Sequence, residues 1–162
     1  MNLFASYLQK EVNEMESNGV CLKVVGDKSK FSDELQALIL RAEQQTQYNT
    51  KITLRVAANY GGRWDFVQAA QSWQRANPSL SIDQLTESEL APFLSTADAP
   101  EMDLLIRTGG ESRVSNFMLW QAAYAELFFI DTLWPDFSAK QFNEALEWFT
   151  KRDRRFGSAA PF

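Results

Sequence analysis

The chain has 162 residues, 45% of them hydrophobic, 23% charged and 13% aromatic, with one cysteine (Cys21), no histidine and a formal net charge of −5. This length suits one domain with a substantial core, so disorder is excluded, and the lone cysteine excludes a disulfide scaffold. The lack of histidine removes His-based zinc sites, Ser-His-Asp triads and Cys-His nucleophile pairs together, and the acidic balance argues against nucleic acid as a partner.

No apolar run approaches the ~20 residues that span a bilayer, and Met1 to Lys10 lack the pattern of a signal peptide. A single thiol without an export signal points to a reducing cytoplasm.

In chain order, Leu3, Tyr7, Leu8, Val12 and Met15 stand near helical spacing over residues 2–17, closed by Asn18-Gly19. Val20 to Val25 is a short β-branched run that reads as a strand. Ser32 caps the next helix, with Asp33 and Glu34 in its first turn and Leu35, Leu38, Ile39 and Ala42 on one face. A second strand covers Ile52 to Ala58, then Asn59-Tyr60-Gly61-Gly62 leads into a helix from about Asp65 to Ala76. Thr86 with Glu89 forms a capping box for a short helix over Leu90, Phe93 and Leu94.

The third strand, Asp103 to Arg107, empties into Thr108-Gly109-Gly110-Glu111-Ser112-Arg113. Ser115 is expected to cap a helix from Asn116 to about Ala125. Leu127 to Ile130 reads as a fourth strand, and Ser138 with Gln141 opens a last helix ending near Gly157. Strands alternating with helices mean right-handed βαβ crossovers, so the expected fold class is α/β, a single domain with a mostly parallel sheet and flanking helices.

The charge is unevenly spread. Residues 1–81 carry 9 basic and 8 acidic side chains, residues 82–147 carry 3 and 12, and the last fifteen hold Lys151, Arg152, Arg154 and Arg155 against Asp153. Two of the three basic residues in the acidic stretch, Arg107 and Arg113, bracket one glycine-rich turn. Such arginines are either salt-bridged to their neighbourhood or kept to hold an anion.

Ligands of open α/β sheets bind outside the carboxyl ends of the strands, where two glycine-rich loops lie, residues 59–63 and 108–113. The first reads equally as a tight strand-to-helix turn. The second unites two guanidinium forks, two glycines that let N–H groups approach a ligand, and Ser115 at a helix start, which together describe a phosphate or diphosphate site. Ser115 also fits a plain N-cap. Glu126, in apolar surroundings, requires either an arginine partner or a hard cation. The stripe Phe117, Met118, Trp120, Ala123 and Tyr124 reads as core or subunit interface.

The stretch from Asp103 through Arg107-Thr-Gly-Gly-Glu-Ser-Arg-Val-Ser-Asn to Glu126 closely resembles the signature of the cis-prenyltransferase family, the undecaprenyl diphosphate synthases. Asn59-Tyr-Gly-Gly-Arg63, Leu133-Trp-Pro-Asp-Phe137 and Arg154-Arg-Phe-Gly157 carry the same resemblance. It implies a transferase that adds isopentenyl diphosphate in cis to an allylic diphosphate, making the polyprenyl carrier of cell-wall (peptidoglycan) glycans, with Mg2+ as cofactor. By motif, Arg107, Arg113, Val114 and Ser115 bind substrate and Glu126 the metal. Arg155 and Gly157 belong to an Arg-X-Gly element that reaches into the partner of a homodimer. The lipid product implies transient membrane contact.

Many relatives have histidine where Ser112 stands. The family's Asp-Gly-Asn-Gly-Arg-Trp loop, whose aspartate binds magnesium, does not occur in these 162 residues, which resemble the C-terminal two-thirds of such an enzyme, without its catalytic aspartate. The chain alone is therefore expected to be inactive, with a non-catalytic partner subunit as the alternative.

Overall fold

The computed structural model describes residues 2–153 and divides after Ala97 into two compact units. Both are α/β, each built on one pair of parallel strands with helices beside it, as the alternation of strands and helices predicts.

The first unit begins with α1 (Asn2–Ser17), β1 (Val20–Val25), α2 (Asp33–Thr46) and β2 (Ile52–Ala57). The helices follow from their apolar stripes. Leu8 and Val12 of α1 meet Leu35, Leu38, Ile39 and Ala42 of α2 over Leu22 and Val24 of β1, and these eight residues form the core cluster. Ser32 accepts a hydrogen bond from the Leu35 N–H, as its place before the stripe predicts. Strands β1 and β2 pair parallel, Val20 opposite Ile52 through Val25 opposite Ala57.

The N–H groups of Leu22 and Val24 are taken by α2 side chains. Thr46 Oγ1 accepts the first at 3.0 Å and Glu43 Oε1 the second at 2.7 Å, while Lys28 Nζ binds the same carboxylate oxygen at 3.1 Å. Among the described residues, β2 pairs with β1 alone and exposes Ile52 and Leu54.

Helix α3 (Gly62–Ala76) starts three residues before Asp65 because Gly61, in extended conformation, is its N-cap. The left-handed residue of this turn is Asn59 (φ 51°). Asp65 is 1% exposed and ties the unit together. Its carboxylate accepts from Tyr60 Oη at 3.0 Å, Gln68 Nε2 at 2.8 Å and the Ser95 N–H at 2.9 Å.

The Thr86 cap holds, but α4 is only Glu87–Leu90, followed by a 3-10 turn over Ala91–Phe93. Glu89 turns its carboxylate to the indole N–H of buried Trp73, at 3.1 Å.

The second unit holds β3 (Leu104–Arg107), β4 (Glu126–Phe129) and α5 (Ala139–Thr150). The strands pair parallel, from Leu104 opposite Glu126 to Arg107 opposite Phe129. Two expectations fail here. Residues 116–125 form successive turns in place of a helix. Ser115, Asn116 and Met118 adopt φ of 45°, 63° and 45°, and an α-helical i→i−4 bond joins Ala122 N–H to Met118 O. Helix α5 opens with the expected Ser138–Gln141 capping box but ends at Thr150.

Replacing Asp65 by alanine would remove a buried acceptor from three part-buried donors, of which Gln68 Nε2 keeps its bond to the Phe93 carbonyl. The variant should lose on the order of 3 kcal/mol in urea unfolding, because buried polar groups left unpaired each cost about 1–3 kcal/mol. A loss below about 1 kcal/mol would contradict the role given to this carboxylate.

Candidate functional site

Arg107 closes β3, so its side chain stands at the carboxyl end of a parallel strand pair, where α/β sheets place ligands. The chain then makes two left-handed steps, Gly109 at φ 89° and Gly110 at φ 74°, a region that residues with a Cβ enter only at a cost. These steps turn both N–H groups toward the segment following β4. Gly109 donates to Thr132 O at 2.9 Å and Gly110 to Ile130 O at 3.2 Å, while the Ile130 N–H returns a bond to Arg107 O at 3.0 Å. The glycine amides expected to meet a ligand therefore anchor the loop instead.

The rest of the loop folds onto Arg107. Its Nη1 donates to Ser115 Oγ at 3.0 Å and to the Arg113 carbonyl. Arg113 forms an ion pair with Glu111, and its side chain is 65% exposed. Val114, between them, accepts the Phe117 N–H on its carbonyl at 3.0 Å. The structure thus gathers Arg107, Arg113, Val114 and Ser115 on one short loop, with two guanidinium groups and a hydroxyl at its surface. Because no helix starts at Ser115, the helix-dipole contribution expected there is absent, which leaves the two guanidinium groups as the cationic groups of the loop.

Glu126 is not brought to this loop. It is the first residue of β4, opposite Leu104, and so lies three strand residues, about 10 Å, from the Arg107 end. Its carboxylate binds Arg152 Nε at 3.0 Å. Arg152 lies over the Trp148 ring, 5.0 Å from its centroid, and Trp148 meets Phe128 edge-on at 5.3 Å. The arginine-partner alternative is the one realised, and Arg152 is the site neighbour that sequence reasoning missed. Its signal was the basic tail facing one semi-buried acid. Arg155 and Gly157 lie outside the described residues.

No group of three Asp, Glu, Cys or His side chains suited to a metal ion occurs among the described residues. With Glu126 engaged by Arg152, these residues do not assemble a magnesium site on their own. Nor is any described helix long and apolar enough to cross a membrane.

A family model for undecaprenyl diphosphate synthase matches residues 1–157. The chain belongs to that family. Its sequence is 48% identical over 159 residues to the ditrans,polycis-undecaprenyl-diphosphate synthase of Haemophilus influenzae, covering 97% of this chain and 66% of the relative. An isoprenyl transferase of Ralstonia nicotianae is 47% identical over 157 residues, covering 97% and 61%. The chain thus spans somewhat less than two thirds of these relatives.

Similar folds are a lavandulyl diphosphate synthase from Lavandula x intermedia in complex with dimethylallyl diphosphate (TM-score 0.87, 33% identity, 97% of this chain and 69% of that one) and a probable undecaprenyl diphosphate synthase from Campylobacter jejuni (0.84, 32%, 97% and 72%). Three of these four proteins are named as diphosphate synthases and one as an isoprenyl transferase.

The Glu126–Arg152 pair should behave as a local strut. In a double-mutant cycle with Glu126→Gln and Arg152→Ala, urea unfolding should give a coupling of about 1 kcal/mol or less, the range of partly exposed ion pairs. A coupling of several kcal/mol would mean that the pair is a buried keystone.

Proposed function

We propose that this protein serves cis-prenyl transfer, in which isopentenyl diphosphate is added to an allylic diphosphate such as farnesyl diphosphate to build undecaprenyl diphosphate, the lipid carrier of cell-wall glycans. The observation that carries the reading is the loop after β3. The Arg107 guanidinium there meets Ser115 Oγ and the Arg113 backbone carbonyl, and the Arg113 side chain extends from the same loop, in a chain whose relatives carry the names of diphosphate synthases.

A diphosphate offers several anionic oxygens, and a planar guanidinium presents paired donors that match them. Arg107 would hold one phosphoryl group at the strand end and Arg113 the other, with the Ser115 hydroxyl adding a neutral donor. Together they would fix the isopentenyl unit by its charged end while its carbon end reacts. Residues 1–162 are taken as one family domain, since one family model runs through both units.

Mg2+ belongs to this reading as the resemblance implies it, with Glu126 as the carboxylate assigned to it, although the described residues gather no group of three acidic, cysteine or histidine side chains by themselves. The Asp-Gly-Asn-Gly-Arg-Trp loop that the resemblance associates with the metal is not among these residues, so the 162 residues alone are expected to incorporate no labelled isopentenyl diphosphate into long prenyl products. Product formation should appear in a version carrying that loop. Robust turnover by the 162 residues would overturn the expectation. Turnover only when they are mixed with a catalytic relative would favour the role of partner subunit.

A cytoplasmic homodimer, touching the membrane transiently through its lipid product, completes the proposal. Phe117, Tyr124 and Leu127 are 42%, 66% and 37% exposed, apolar side chains of the kind that soluble proteins cover by association. Sedimentation at micromolar concentration should show a dimer, and a monomer would count against it.

Binding tests the site directly. Arg107→Ala and Arg113→Ala should each weaken isopentenyl diphosphate by about 1.5–3 kcal/mol in titration calorimetry, the worth of a charge-assisted hydrogen bond. Unchanged affinity in both variants would remove the assignment.

A further inference from the structure

The two site arginines have partners of different kinds. Arg107 is held by neutral dipoles, the Ser115 hydroxyl and a backbone carbonyl, whereas Arg113 is held by a full anion, the Glu111 carboxylate. Glu111 lies on the same loop, two residues before Arg113, and its side chain is 44% exposed against 65% for the arginine. An ion pair this open contributes little to stability. The loop is already anchored by the Gly109 and Gly110 amides, so the pair is not needed as a strut. Its chemistry is that of the proposed ligand, since a carboxylate offers a guanidinium the same two-oxygen anionic face as a phosphoryl group.

We infer that Glu111 is a tethered competitor for the diphosphate site: its carboxylate occupies Arg113 and must be displaced before a phosphate anion can use that guanidinium. This rests on the diphosphate reading above. A binding-competent state that is only part of the population lowers apparent affinity by its fraction. Glu111 therefore weakens every anion that depends on Arg113, incoming diphosphate substrate and departing diphosphate product alike. A site that must release a diphosphate at each condensation benefits from an internal anion that recaptures its arginine.

The test is titration calorimetry of the purified chain with inorganic pyrophosphate, on the parent, Glu111→Gln, Arg113→Ala and the double variant. Both side chains are exposed, so folding should be retained, and circular dichroism verifies it. Glu111→Gln should tighten pyrophosphate about two- to six-fold, the range that an exposed ion pair implies for a competitor. The gain should vanish when Arg113 is already alanine, because competition requires the guanidinium.

If Arg113→Ala weakens binding but Glu111→Gln leaves it unchanged or weaker, the diphosphate site stands and the competitor role is overturned. A gain that persists without Arg113 would reveal a general field effect and would also overturn it. If Arg113→Ala changes nothing, or no variant binds pyrophosphate, the site reading itself falls, and this inference with it.

Discussion

The candidate site depends on where two glycine amides point. Strands β3 and β4 end together, Arg107 opposite Phe129, and the chain continues the pairing through the Gly109 and Gly110 N–H groups to the Thr132 and Ile130 carbonyls. Only because both residues accept positive φ can successive amides face the same neighbour. That anchoring fixes the base of the loop, so residues 111–115 curl back over Arg107 and its guanidinium meets Ser115 and the Arg113 carbonyl. Without the anchor, the arginines would share a sequence segment but no defined geometry.

Local signals were legible in the sequence wherever one interaction decides the outcome. Strand β1 has the expected bounds, and Ser32, Thr86 and Ser138 cap the helices they precede. Each cap is a contact between residues three apart, which spacing reveals directly. The arginine loop was legible for the same reason, as its parts lie within nine residues.

What failed depends on contacts that spacing does not contain. Helices in proteins draw most of their stability from packing an apolar face, and Phe117 and Tyr124 remain 42% and 66% exposed, so the stripe over 116–125 lacks the cover that would hold it helical. Glu126 was placed before a strand and lies within one, and its partner is 26 residues further along the chain. Glu89, expected to complete a capping box, answers instead to Trp73 from another helix.

The sequence left two readings open for the arginines of the acidic stretch, salt bridge or anion site, and under the proposed function both apply to Arg113, with the Glu111 carboxylate and an anion taking turns on one guanidinium. Arg113 has its salt bridge, yet the pair is mostly in water, where such contacts are worth at most about 1 kcal/mol. A diphosphate bound as proposed would offer charge-assisted bonds of about 1.5–3 kcal/mol each, enough to displace the carboxylate and retain affinity. Glu126 shows the opposite balance. Its side chain is only 20% exposed, and its arginine is held from a second direction by Trp148. Two acids of one unit, each facing an arginine, are thus separated by burial: Glu111 is 44% exposed, whereas Glu126, 20% exposed, fastens β4 to the segment that follows α5.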